Sequence, residues 1–95
     1  MPNQSNLPIP VQIENAQRSM ELMRVWIADR RQIVEITPSL WDDPLTWGLL
    51  LVDIAKHIAL AYAQNGHDPE VVRQSVYNAF QMEWNRPTDV PRQAE

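Results

Sequence analysis

The fold of this chain is decided by residues 43–70, which read DPLTWGLLLVDIAKHIALAYAQNGHDPE. The stretch opens with Asp43-Pro44, a helix start signal, because the carboxylate can accept free backbone N–H groups and proline suits the first helical position. Asn65-Gly66 indicates a left-handed C-terminal cap, and Asp68-Pro69-Glu70 repeats the start signal. The stretch therefore predicts two helices that are antiparallel neighbours, because the connection between them is very short. The second helix is expected to run to about Trp84.

The first predicted helix carries more apolar surface than a helix with one neighbour needs. At about 100° per residue, one narrow polar stripe is formed by Thr46, Asp53, His57 and Gln64. Apolar side chains spread over more than half of the circumference, whereas covering one neighbour takes an apolar stripe of about 100° or slightly more. We therefore expect this helix to pack on several surfaces at once: the second helix, a β-hairpin and another subunit.

A β-hairpin is predicted upstream, with strands over Met23–Ala28 and 32–37, because both segments are short and rich in β-branched residues. Their apolar faces must match, which requires a loop with an even number of residues. A two-residue loop would force Arg30 to a positive φ, which is unfavourable for arginine. The sequence therefore favours a four-residue loop, Asp29 to Gln32, with Val25 opposite Ile36 and Ile27 opposite Val34.

The chain is expected to fold as an α+β protein of two layers, a β-hairpin followed by an antiparallel helical hairpin (ββαα). Residues 9–14 alternate at period two, but Pro10 excludes a central strand, which leaves an N-terminal edge strand or an extended arm. The domain limits are predicted as a disordered tail over 1–8, a single domain over 9–86 and a flexible tail over 87–95.

Size and composition exclude several classes of protein. A domain of 95 residues buries only about 60–65% of the surface of its unfolded chain, so it needs reinforcement. With no cysteine that reinforcement is not a disulfide, which leaves oligomerisation, and we expect a homodimer.

A net charge of -4 argues against a nucleic-acid partner, and two glycines leave no material for a phosphate loop. No cofactor is expected. Without a signal peptide or an uninterrupted apolar run, the chain is expected in the cytoplasm, away from membranes.

Asp53 and His57 are the best candidates for catalysis. Four residues apart on a helix, their side chains meet, and a carboxylate that orients an imidazole is the smallest general-base unit. No nucleophile completes this pair, and two ligands are too few for a zinc site, so no metal is expected. The simpler interpretation is a solvated pair on a helix surface.

Candidate interface or ligand residues come from apolar surface that one small chain does not obviously cover. Trp26 lies on the strand face opposite Val25, so the predicted hairpin has two apolar faces. Gly48 leaves room inside a helix for a close neighbour, either Trp26 or a partner helix. Glu83 projects into the apolar arc of the second helix. The complete set is Leu22, Trp26, Trp41, Gly48, Leu50 and Glu83.

Two motifs carry a family resemblance: Leu22 to Ala28 (LMRVWIA), and Trp41 to Pro44 (WDDP) continuing through Trp47 to His57 (WGLLLVDIAKH). The chain resembles the short bacterial proteins of the family known as domain of unknown function 5076, over about residues 20–84. The resemblance implies a small α+β protein without an assigned activity, substrate or partner. It offers no functional residue to carry across.

These observations favour a soluble, non-catalytic domain that self-associates and serves as a protein-interaction module, with a second copy or another protein as partner. The alternative is a small-molecule or minor enzymatic site that uses Asp53 and His57.

Overall fold

A small sheet and a pair of long helices form the chain, whose computed structural model describes residues 7–86 and 92–93. The elements in chain order are α1 (Val11–Glu14), β1 (Met23–Ala28), β2 (Arg31–Ile36), α2 (Leu45–Ala63), α3 (Pro69–Asn85) and β3 (Arg92–Gln93). The predicted α+β class and its order, a β-hairpin followed by two helices, are confirmed. The sheet has the strand order β1-β2-β3, with β1 antiparallel and β3 parallel to β2.

The hairpin loop is shorter than the sequence analysis predicts. Val25 pairs with Val34, and Ala28 with Arg31, so Asp29 and Arg30 alone form the turn. Both have positive φ, 50° and 67°, as a two-residue turn of type I′ requires. The four-residue loop, with Val25 opposite Ile36 and Ile27 opposite Val34, is therefore wrong by two residues. Cross-strand pairing of apolar side chains outweighs the local strain at Arg30.

The N-terminal segment forms a helical turn, whereas the sequence analysis predicts an edge strand or an extended arm. The N–H groups of Ile13 and Glu14 donate to the carbonyl of Pro10 at 3.0 and 3.3 Å, so the backbone bonds close a single turn. Both extended predictions, the edge strand and the arm, are wrong for Val11–Glu14, because proline at a helix start satisfies its own geometry without a neighbouring strand. Residues 1–6, 87–91 and 94–95, which hold most of the two predicted tails, lie outside the described residues.

Both helices begin on the predicted local signals, and α2 also ends on one. Asp43 and Asp68 accept hydrogen bonds on their carboxylates from the N–H groups of Leu45 and Glu70, at 3.0 and 2.9 Å. At the end of α2, Gly66 has a φ of 90°, its N–H bonds the Ala63 carbonyl, and the N–H of His67 bonds the carbonyl of Tyr62. This pair of bonds is the Schellman motif, which turns the chain back into α3.

The β-hairpin and the two long helices are separated in space within the chain. Among the described residues, no Cα of β1 or β2 lies within 8 Å of a Cα of α2 or α3. The segment that joins β2 to α2 lies against α2 instead, where the Trp41 and Trp47 rings meet edge to face with centroids 4.8 Å apart. The expectation that the first helix packs on the hairpin is therefore wrong for a single chain.

Candidate interaction surfaces

The contact between α2 and α3 is narrow and built from small side chains. Ala55, Ala59 and Ala63 recur every four residues on α2; Ala59 is buried and the other two are half-buried. On α3 the half-buried residues are Val72 and Val76. Only Ala59, at 1% exposure, counts as buried among the described residues. The alanines of α2 and the valines of α3 therefore meet without forming an enclosed core.

A broad apolar surface, which we call the helical face, lies beside this contact. On α2 it is formed by large side chains whose arc is centred between the direction of Ala59 and the polar stripe, with Lys56 among them, and on α3 by aromatic rings on one flank of the stripe of Val72 and Val76. The two helices are antiparallel, so successive side chains go around the two helix axes in opposite directions when both are viewed from the same end. These two flanks therefore lie on the same side of the helical pair. Phe80 and Trp84 stack there with ring centroids 5.6 Å apart. The helical face comprises Leu45, Leu49, Val52, Leu60, Tyr77, Phe80 and Trp84, all exposed.

Sequence reasoning did not single out this surface, although a signal was present. Leu45, Leu49 and Val52 follow the spacing i, i+4, i+7, which marks one side of a helix. The wide apolar arc concealed this stripe, because nearly every direction around α2 is apolar. Only the position of α3 shows which part of the arc is covered and which part is open.

Both faces of the sheet also carry open apolar side chains. Met23, Val25 and Ile27 project from one face of β1, and Ile27 is 73% exposed. Trp26 projects from the other face and is 42% exposed, with its cross-strand neighbour Ile33 half-buried. The predicted two-faced hairpin is thus present, and no Cα of α2 or α3 among the described residues comes within 8 Å of it.

The other predicted interface residues lie in different places. Leu22 extends β1, since its carbonyl accepts the Thr37 N–H at 2.9 Å, and it is half-buried. Trp41 and Leu50 are half-buried near the start of α2, and Glu83 is exposed near the end of α3. A Cβ added to Gly48 would meet no atom within 4 Å, so Trp26 does not approach this glycine within one chain.

Asp53 and His57 lie on the solvent side of α2. The Nε2 of His57 is 3.4 Å from the Oδ2 of Asp53, and the two side chains are 73% and 65% exposed. Such an exposed pair one turn apart contributes roughly 0.5 kcal/mol or less to helix stability. No group of three metal-binding side chains occurs in the part of the chain that is described. The geometry brings the predicted pair together but encloses it in no site.

A shallow groove of about 300 Å³ lies where β1 begins and β2 ends, lined by Glu21 to Arg24 and by Glu35 to Pro38. Inside it the Nε of Arg24 donates to a carboxylate oxygen of Glu21 at 2.7 Å. Half of the Arg24 side chain is in water, so the groove is an open depression of the surface. It supplies no enclosed volume for a small ligand.

By length and composition alone, α2 is able to cross a membrane, and it is the one such helix among the described residues. Asp53, Lys56 and His57 occupy its middle, where the hydrocarbon would be deepest. Charged groups at that depth cost about 2.5–3.5 kcal/mol each on insertion scales. Burial of the middle of α2 in hydrocarbon would therefore be costly.

Comparison with known proteins gives a family and a fold. The family model described as a domain of unknown function (DUF5076) matches residues 6–88. A solved structure of a "putative pyruvate dehydrogenase" from the photosynthetic bacterium Rhodopseudomonas palustrus CGA009 is 29% identical, with a TM-score of 0.75. The match covers 100% of this chain and 98% of that chain. No curated protein matches the sequence significantly.

Proposed function

The chain belongs to the family of domain of unknown function 5076, and we propose that it works as a homodimeric protein-interaction module without a catalytic centre. The observation that carries this proposal is the near absence of a core, because Ala59 alone is buried among the described residues. A chain of this size cannot remain folded without burying more apolar surface. The helical face and the two sheet faces are the surfaces that a second copy would cover.

The chain exposes more surface than a compact monomer of its mass, which supports cover by a partner. A folded monomer of this mass exposes about 5,600 Å², so the 9193 Å² of this chain is an excess of about 3,600 Å². The radius of gyration is 15.6 Å, against about 12 Å for a compact domain of this length. Obligate homodimers bury about 2,000–5,000 Å² in total, or about 1,000–2,500 Å² per chain, so a second copy accounts for a large part of the excess.

Dehydrogenase chemistry is not part of the proposal. Asp53 and His57 form the one acid/base pair that the sequence suggests, and both side chains lie mostly in water. General-base catalysis depends on a site where the substrate excludes water and the base keeps a fixed position. A surface pair on a helix meets neither condition. The proposal therefore assigns a binding role, exercised in the cytoplasm, to the apolar surfaces.

Light scattering coupled to size-exclusion chromatography tests the proposal directly. At micromolar concentration we expect a single species of about twice the chain mass of 11.0 kDa. Native mass spectrometry of the same sample should give the same subunit number and reveal any retained small molecule. A stable species with the mass of one chain, with folded helices by circular dichroism, would overturn the proposal.

A further inference from the structure

The outer edge of β1 is open. In the sheet order β1-β2-β3, β2 is paired on both sides and β1 only on one. No other described element approaches β1. Within Met23–Ala28 there is no proline and a single charge, on Arg24. Proteins usually protect an open edge with proline, several charges or a covering segment, and this strand has little such protection.

The hydrogen-bond pattern shows which backbone groups face outward. The Leu22 carbonyl accepts the Thr37 N–H at 2.9 Å, so Leu22 and Thr37 form a hydrogen-bonded pair. Because such pairs alternate along antiparallel strands, Arg24 and Trp26 also bond to β2. The N–H and C=O groups of Met23, Val25 and Ile27 therefore point away from β2 and form the open edge.

We infer that β1 pairs antiparallel with β1 of a second copy about a two-fold axis at Val25, which joins two sheets into one of six strands. This inference rests on the proposed homodimer and names the contact that forms it. In this register Val25 faces its own copy and Met23 faces Ile27 of the second copy. All outward-facing backbone groups of the three residues are then bonded, and the apolar side chains continue across the joined face.

The side chains favour this register over its neighbours. An axis at Val25 sets Arg24 beside Trp26 of the second copy, where a guanidinium on an indole face is favourable. An axis at Arg24 would set two arginines directly opposite each other, which is destabilising. An axis at Trp26 would pair Met23 with turn residue Asp29 and shorten the ladder. The strand is thus complementary to itself, which favours a second copy over an unrelated strand as occupant.

Cysteine cross-linking tests the register, since the natural chain contains no cysteine. In Val25→Cys the two thiols would sit on Cα atoms about 5.5 Å apart, within the range of a disulfide. In Ile27→Cys they would lie about 13 Å apart, four residues along the ladder. Under mild oxidation we expect Val25→Cys to form a covalent dimer at least about tenfold faster than Ile27→Cys.

Ile27→Cys is a stringent control, because Ile27 is the more exposed residue and random collisions would favour it. Val25→Pro is a second test: proline removes an N–H that the chain itself does not use, and edge strands tolerate it. We expect its dimer dissociation constant to rise about tenfold or more, with helices intact by circular dichroism.

The outcomes separate the two proposals. If the unmodified chain is a dimer but Val25→Cys cross-links no faster than Ile27→Cys, the β1 pairing is overturned and the dimer stands. An unchanged dissociation constant in Val25→Pro overturns the pairing in the same way. If the unmodified chain is a monomer by light scattering, both proposals fall.

Discussion

At the scale of single residues, the turn at Asp29 and Arg30 shows how much local strain this chain accepts. Arginine at a φ of 67° lies in the left-handed region, which costs about 1–2 kcal/mol for a residue with a Cβ. The register gained in return pairs Val25 with Val34 and Trp26 with Ile33. Cross-strand pairing therefore compensates for the backbone strain at Arg30, and a substitution that relieves this strain should leave the fold unchanged.

We expect Arg30→Gly to stabilise the protein by about 0.5–1 kcal/mol, because glycine removes the left-handed strain at a smaller cost in chain entropy. Urea unfolding at fixed chain concentration measures the change in midpoint. The control is Arg31→Gly at the first residue of β2, which has no positive φ to relieve and should lower stability, since glycine adds conformational entropy that folding must remove. A midpoint for Arg30→Gly at or below that of the parent protein would contradict the turn geometry.

At the scale of elements, α2 is divided into directions with different surroundings. One direction meets α3 through small side chains, one is polar and carries Asp53 and His57, and one belongs to the helical face. Leu49 and His57 are both strongly exposed, at 63% and 73%, so exposure within the chain does not distinguish them. Their roles differ only if a second chain covers the apolar direction and leaves the polar one in water.

We therefore expect Leu49→Gln to weaken the dimer and His57→Gln to leave it unchanged. Keeping a buried leucine out of water is worth about 1.5–3 kcal/mol, so the dissociation constant of Leu49→Gln should rise at least about tenfold. Analytical ultracentrifugation of the two variants measures both constants, and glutamine suits a helix at either position. Equal constants for the two variants would show that the helical face is not part of the dimer contact.

At the scale of the whole molecule, folding and association should be one process. The hairpin is held by its own ladder and the helices by a narrow stripe, and the described residues supply no contact between the two. An isolated two-stranded hairpin is at best marginally stable in water, and a further short strand adds little. Covering the apolar faces is therefore the main source of stability that a single chain lacks.

The unfolding midpoint should consequently rise with chain concentration. Thermal or urea unfolding measured between about 1 and 100 μM should shift to higher midpoints, since mass action favours a folded dimer over unfolded chains. Circular dichroism of the helices and fluorescence of the tryptophans should give coincident transitions. A midpoint independent of concentration would mean that one chain is stable alone.

Local chemistry determined most of the elements. The aspartates that cap both helices, the glycine that ends α2 and the β-branched runs of the hairpin act within a few bonds of where they stand, so the sequence is sufficient to predict them. The pairing of Asp53 with His57 was predictable for the same reason, because one helical turn brings the two side chains together. The excess of apolar surface on α2 was also evident from its periodicity.

Tertiary structure alone decided the loop length, the distance between hairpin and helices, and the open helical face. Each of these depends on a sum over residues far apart in the chain. The strain at Arg30 is settled by contacts across the whole hairpin, and the exposure of Leu49 by the direction from which α3 approaches. Sequence patterns state how much apolar surface exists, but only the positions of the elements determine which part of it is left uncovered.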